Sequence, residues 1–322
     1  MASKQPTIHV LRPGLFTTIQ DLGRERYRRF GVSVSGAMDR WALTVGNRLV
    51  GNPDHAAGLE ITLQGPELLF EHTAVIAITG ADLSPTLEGV AIPLWTAVDM
   101  PAGSRLQFGT RRNGARAYVT VAGGIDGPRI LGSRSTHIRS RLGGVDGRAL
   151  RKWDQLPVGR CLDGWVTPLG RCVPTAQRPA YQTTPTLRII PGPQADRFTE
   201  QSLTQLTEQT YRLTPESDRM GYRLTGALLH LRAGSDIISD AVTVGAIQVP
   251  PDGQPILLMA DCQTTGGYAK PAVVISRDVP AAAQLLPGDS LRFQLVSPDE
   301  AFHLLRNRRA ELDRLIPPCS HP

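Results

Sequence analysis

Six short aliphatic and β-branched runs constrain what this chain can fold into: Ala74–Thr79, Ala117–Val121, Leu187–Ile190, Ile256–Met259, Val273–Ser276 and Leu291–Val296. Each is bounded by Gly, Pro or Asp. Short runs between such breakers read as strands, and many of them joined by turns argue for β-barrels or sandwiches. The 32 glycines and 26 prolines supply the turns. Helices are few. One is expected from Met38 to Val50, with Ala42, Val45 and Leu49 as its apolar stripe and Gly51-Asn52-Pro53 as its stop. A second is expected to open at Gly192-Pro193, with Pro193 in its first turn. A third is expected over about Asp299 to Leu315, with Ser297 as N-cap, Pro298 first and Glu300 completing a capping box. Leu304, Leu305, Leu312 and Leu315 form its expected buried face, and Arg306, Arg308, Arg309 and Arg314 its solvated one.

A length of 322 residues allows one large or two ordinary domains. A weak repeat favours two related β units. Ser35-Gly36-Ala37-Met38-Asp39 is echoed by Ser217-Asp218-Arg219-Met220-Gly221. Ala74–Thr79 with Gly80-Ala81-Asp82 is echoed by Ile256–Met259 with Ala260-Asp261-Cys262. Pro101–Phe108 is echoed by Pro287–Phe293. Equivalent loops of related units are expected to converge on one groove.

The net charge of +6 is spread along the chain, with no basic tail and no basic helix bearing interleaved aromatics. That distribution does not point to nucleic acid. The four cysteines form no C-x-x-C pair and the seven histidines none at ligand spacing, so no metal site is expected. Met1 to Val10 holds no apolar signal core, and no apolar run approaches membrane-spanning length. The expectation is a reduced, cytoplasmic protein.

The densest functional chemistry lies in Ala260–Lys270, read as a polar, glycine-rich loop between two buried strands. Gln263, Thr264, Thr265 and Tyr268 are its candidate binding groups, and Lys270 a candidate catalytic cation. Lys270 is one of only three lysines, with Lys4 and Lys152. It is expected to be exposed; the alternative is that it merely pairs with Asp261 across the loop. Ser35 and Asp39 stand where a helix begins, and Ser35 either caps that helix or helps bind an anion. Asp126 follows Gly123-Gly124 after a strand, as an exposed carboxylate or a turn-former. Arg134, among the hydroxyls of Ser133, Ser135 and Thr136, suits carboxylate or phosphate, unless it sits in a solvated basic loop. Ser217 and Arg219 form a fourth segment, and Asp240 is a further candidate carboxylate. No G-x-S-x-G, Walker A or strand-following G-x-G-x-x-G motif is present, so the chemistry would rest on positioning and electrostatics.

Taken in order, Ile19-Gln20-Asp21-Leu22-Gly23-Arg24, Ser35–Asp39, Gly123-Gly124-Ile125-Asp126, Leu131–Thr136, Ser217–Tyr222, Gly245–Pro250 and Gln263–Tyr268 resemble one family. It is the biotin-dependent carboxyltransferase-like family, also called allophanate hydrolase subunit 2. It includes bacterial 5-oxoprolinase C subunits and a Kip-type antagonist of a kinase inhibitor, and is similar to part of urea carboxylase. The resemblance covers about residues 8 to 297.

It implies a mainly β fold of two cyclophilin-like β-barrel units with a few short helices. The units would occupy residues 1–185 and 186–298, followed by a C-terminal helix and tail over 299–322. It implies a B-type (Kip-inhibitor-like) and an A-type subunit as partners, and ATP-dependent opening of 5-oxoproline to L-glutamate. Asp39, Asp126, Asp240 and Lys270 would be catalytic. Ser35, Arg134, Ser217, Arg219, Gln263, Thr264, Thr265 and Tyr268 would bind substrate. Two alternatives stand beside it: a carboxyltransferase acting on a urea-like amide with carboxybiotin, and a non-catalytic regulator of a Kip-type inhibitor. No lysine here has the flanking methionine of a biotin carrier, so no covalent biotin is expected on this chain. Ala269 replaces a usual proline, and Ser239–Gly245 lacks the usual internal glycine and proline.

Overall fold

The computed structural model describes residues 5–161, 165, 168–234 and 236–318. The chain forms two compact units. One comprises Met1–Arg24, Ser35–Ala180 and Glu311–Pro322; the other comprises Glu25–Val34 and Tyr181–Ala310. Cys319 lies outside the described residues.

The first unit contains β1 (Thr7–Arg12), β2 (Phe16–Gln20), α1 (Arg40–Leu49), β3 (Gly58–Thr62), β4 (Glu67–Phe70), β5 (Ala74–Asp82) and β6 (Pro85–Leu87). It continues with β7 (Val90–Ala91), β8 (Ala97–Met100), β9 (Arg105–Phe108), β10 (Asn113–Val121) and β11 (Gln155–Pro157). Two sheets result, ordered β11-β1-β4-β9-β6-β7 and β2-β3-β10-β5-β8. One core joins them through Ile8, Val10, Leu59, Phe70, Ile78, Leu106 and Val119. Strand β1 alternates buried and half-buried residues, as a one-sided strand should. Strands β5 and β10 are buried almost throughout, because α1 packs against both. That two-sided burial is why they read as unbroken apolar runs. The predicted stripe Ala42, Val45 and Leu49 is buried. The same helix also buries Arg48, which bonds Asp54 at 2.6 Å, Asp313 at 2.7 Å and the Ile316 carbonyl at 3.0 Å.

The second unit contains β12 (Thr186–Pro191), α2 (Glu200–Glu208), β13 (Thr210–Leu213), β14 (Gly221–Thr225), β15 (Asp236–Ala241) and β16 (Ala246–Val249). β17 (Ile256–Leu258), β18 (Thr265–Val274), α3 (Val279–Ala282), β19 (Ser290–Leu295) and the part of α4 (Pro298–Leu315) up to Ala310 complete it. Its strands run β12-β19-β13-β14-β17-β16-β18, and pairing of β18 with β12 closes the barrel. Strand β15 hangs on the outer part of β18. Alternate residues fill the core: Leu187 and Ile189, Tyr211 and Leu213, Tyr222 and Leu224, Leu291 and Phe293. The mainly β architecture is thus as expected.

Several local expectations are corrected. The polar segment before Lys270 is not all loop: Thr265–Lys270 is the first part of the ten-residue strand β18. Its Gly-Gly pair and polar side chains carry loop chemistry, yet this stretch pairs with the edge strand β15. The helix expected at Gly192-Pro193 begins instead at Glu200, where the Thr199 side chain accepts from the Ser202 N–H at 3.2 Å. In α4, Ser297 does accept from the Glu300 N–H at 3.1 Å. Of its four expected buried leucines only Leu312 is buried, and Leu305 is exposed.

Candidate functional site

In the first unit, the Ser35–Asp39 segment is a tightly held turn. Asp39 is the N-cap of α1, its carboxylate accepting from the Ala42 N–H at 2.9 Å. Ser35 is not the cap; its hydroxyl donates to the Thr136 carbonyl at 2.9 Å. Ser35 and Gly36 both have positive φ, 57° and 92°. A Cβ at Gly36 would lie 2.9 Å from the Leu22 and Gly23 backbone, so only glycine fits. Beneath the turn, buried Glu60 accepts from the Met38 N–H at 2.8 Å and the Tyr118 hydroxyl at 2.7 Å. Tyr118 in turn accepts from the Asp39 N–H at 2.7 Å. Burial, reinforced by the Glu60 and Asp39 charges, pushes the Tyr118 phenol well above its usual value and keeps it a donor.

The organising residue nearby is Asp21, which the sequence marks only as part of a motif. Its carboxylate accepts from the Gly23 N–H at 2.7 Å, the Ser133 hydroxyl at 2.6 Å, the Arg134 N–H at 2.7 Å and the Ser135 hydroxyl. Ser133 and Ser135 are therefore buried struts, not ligand groups, and the Arg134 side chain points away from them. Its Nε donates to the Gly127 carbonyl at 3.0 Å and its Nη2 to Asp126. Asp126 also accepts from Gln5 at 3.0 Å. The Gly127 N–H, then Gln5 and Arg134, outweigh desolvation and hold the Asp126 carboxyl below the usual range. Asp126 and Arg134 line a cavity of about 240 Å³.

In the second unit, Ser217–Met220 is the turn between β13 and β14. Asp218 accepts from the Met220 N–H at 2.7 Å, and Ser217 from the Arg223 N–H at 3.1 Å. Arg219 is buried and grips Asp261 with two bonds, 2.9 and 3.0 Å. The Asp261 N–H returns to the Arg219 carbonyl at 2.8 Å. This pair latches the β13–β14 turn to the start of the polar segment. Gln263 donates to Gln248 at 3.2 Å. Gln248 is buried, and its own Nε2 meets no acceptor among the described residues. Gly266 accommodates that amide, since a Cβ there would come within 2.5 Å of it. Thr264 is half-buried, whereas Thr265 and Tyr268 are exposed.

Lys270 contradicts the exposed reading, for its side chain is only 2% accessible. It also contradicts the Asp261 pairing, because Asp261 is committed to Arg219. Its Nζ donates to Asp240 on β15 at 3.1 Å. Gln194 bridges the pair, donating to Asp240 at 3.2 Å and accepting the Lys270 backbone N–H at 3.2 Å. The hydrogen bond from Lys270, aided by Gln194 and the Ala241 N–H, lowers the Asp240 pKa. Asp240 stays about half exposed, 46%, so a buried cation sits behind an accessible carboxylate. The other N–H bonds of Nζ meet no acceptor among the described residues. Such a group can stabilise developing negative charge or anchor an anionic ligand. Tyr268 lies two residues away on the same face of β18.

The model of the carboxyltransferase domain, subdomain A and B, matches residues 30–295. The chain is 36% identical over 311 residues to the 5-oxoprolinase C subunit of Escherichia coli, covering 96% of this chain and 97% of that protein. It is 37% identical over 298 residues to the 5-oxoprolinase C subunit of Haemophilus influenzae, covering 92% and 94%. The crystal structure of the K. lactis urea amidolyase superposes with a TM-score of 0.91 at 31% identity, covering 97% of this chain but 20% of that one. This chain belongs to the carboxyltransferase domain, subdomain A and B, family.

Proposed function

We propose that this chain is the C subunit of an ATP-dependent 5-oxoprolinase, acting with A- and B-type subunits to open 5-oxo-L-proline to L-glutamate. One observation carries the reading. Likeness to the two 5-oxoprolinase C subunits runs through 97% and 94% of those proteins, whereas the K. lactis urea amidolyase is matched over 20% of its length. A lactam carbonyl is a poor electrophile. Transfer of the γ-phosphoryl of ATP to its oxygen releases ADP and activates the carbon; water adds there, and the ring C–N bond breaks, leaving the protonated amine and γ-glutamyl phosphate. A second water hydrolyses that acyl phosphate to glutamate and inorganic phosphate. Lys270 would meet the negative charge that develops on the substrate, with Asp240 and Gln194 holding it in place. Gln263, Thr264, Thr265 and Tyr268 would orient the ligand along the same segment. Arg219 and Asp261, Ser35 and Asp39, and Ser217 would act indirectly, by fixing the turns that carry the site. Asp126 and Arg134 form a separate cluster in the first unit. ATP is used by the complex, and no biotin is carried by this chain. Among the described residues no helix is long and apolar enough to cross a membrane. We place the complex in the cytoplasm.

The TM-score of 0.91 to urea amidolyase supports a second reading, carboxyl transfer from carboxybiotin to a urea-like amide. Co-expression with the A- and B-type subunits, followed by assay of phosphate release with 5-oxoproline and with urea plus a biotinylated carrier, separates the two. Release stimulated by 5-oxoproline supports the first. Stimulation only by urea with the carrier supports the second. Tight binding of the B-type subunit without turnover on either would mark a non-catalytic regulator.

A further inference from the structure

The first unit holds a cationic cavity that the reaction above does not use. Its wall combines Arg129, Arg134 and Arg160 with His55, Gly124 and a single acid, Asp126. The cavity holds about 240 Å³. Several other arginines are matched by acids: Arg48 with Asp54 and Asp313, Arg188 with Asp278, and Arg219 with Asp261. Here Asp126 is taken by Arg134. Among the described residues neither Arg129 nor Arg160 has an ion-pair partner. Two guanidinium groups without an acid partner make this wall positive, and a small oxyanion there would gain charge-assisted hydrogen bonds.

The Arg134 fork is preset. Nε and Nη2 are held by Gly127 and Asp126, and Nη1 meets no acceptor among the described residues. Asp126 serves as the brace, because its shared carboxylate fixes the guanidinium plane. Asp21 fixes the other end of Arg134 by accepting from its backbone N–H. No Phe, Tyr or Trp lines the cavity. A nucleobase would find nothing to stack on, so the chemistry suits a small charged group.

We propose that this cavity is a binding site for a compact oxyanion, a phosphoryl or carboxylate group, held by Arg129, Arg134 and Arg160. The site is read from the first unit alone and rests on no part of the proposed reaction. A silent complex and an empty cavity are therefore separate failures.

The test uses the full chain at constant ionic strength, with inorganic phosphate and 5-oxoproline titrated separately by calorimetry. At least one binds the wild-type chain at millimolar concentration. The Arg129→Gln/Arg160→Gln double substitution, at two exposed positions, weakens that binding by at least about tenfold, the loss of two charge-assisted contacts. Saturating ligand also shields Arg129 and Arg160 from phenylglyoxal, read by peptide mass spectrometry, which locates the site without any variant. Binding of phosphate but not 5-oxoproline assigns the oxyanion to a phosphoryl source; the reverse assigns it to a carboxylate. No binding of either to the wild-type chain overturns the proposal. Binding that neither shields these arginines nor weakens in the folded double variant overturns it equally.

Discussion

In the proposed reaction, Lys270 is the residue on which the chemistry turns. A buried ammonium with one carboxylate partner is costly to keep unless the charge is used. Lys270→Met preserves most of the length and removes the charge. In the assembled complex it should cost roughly 2–4 kcal/mol of transition-state stabilisation, the order found for deleting a positioned donor. Folding should hold, because an apolar residue of similar volume replaces a buried ion. Steady-state kinetics beside thermal melts checks both halves; unchanged kcat/KM with a lowered Tm would make the lysine structural. Its rarity and polar setting mark Lys270 in the sequence as chemically special. They do not reveal burial, since Asp240 lies 30 residues away and meets Lys270 only through β15–β18 pairing. Cys262 sits in the same segment, and burial pushes its thiol to about 11. It should resist iodoacetamide at neutral pH in the folded chain and react once unfolded, as read by peptide mass spectrometry. Rapid labelling of the native protein would show that the segment opens.

Between elements, the polar segment is held by latches as well as by the packing of Cys262 against Val242, Ala246 and Leu258. The Arg219–Asp261 pair joins the β13–β14 turn to the segment that follows β17. Arg219→Ala leaves a buried carboxylate uncompensated and should cost about 3–5 kcal/mol in urea unfolding. Replacing both partners by Met and Leu should recover much of that loss. Equal destabilisation by single and double variants would show that the pair itself is not the cause. A second bracket, Asp154, accepts from Arg148 at 2.7 and 2.8 Å and from the Arg151 N–H at 2.7 Å. The Arg148 hydrogen bonds lower its carboxyl pKa. A depressed acid stabilises the fold above its unfolded value of about 4 and loses that contribution as pH falls through the lower folded value. Asp154→Asn should therefore be less stable than wild type at neutral pH. The gap should close below about pH 4, and a gap that widens on acidification would contradict the assignment. Strand existence was legible because β5, β10, β12 and β19 carry strong apolar signals. The first half of β18 was not, since Gly266-Gly267 and flanking hydroxyls carry loop chemistry while the backbone pairs with β15. Asp21 is inconspicuous for another reason: its partners Ser133 and Ser135 lie more than 100 residues away.

Across the whole molecule, the mainly β character and a closed barrel followed from short strands between turns. The division did not follow linearly. Residues Glu25–Val34 belong with the second unit and Glu311–Pro322 with the first. Arg48 explains the second exchange, because its bonds to Asp313 and Ile316 draw the end of α4 onto α1. No periodicity in α4 announces that bond, which is why Leu304 and Leu305 read as part of a buried face they do not form. Catalysis by this chain alone is not expected, since it carries no phosphate-cradling motif. The most direct test is 5-oxoproline-dependent ATP hydrolysis, with glutamate and phosphate quantified together, for the isolated chain and for the chain assembled with its A- and B-type subunits. The expected result is no turnover by the chain alone, matched release of glutamate and phosphate by the complex, and loss of both on Lys270→Met. Robust turnover by the isolated chain, or a stable complete complex that leaves 5-oxoproline intact, would contradict the proposed function.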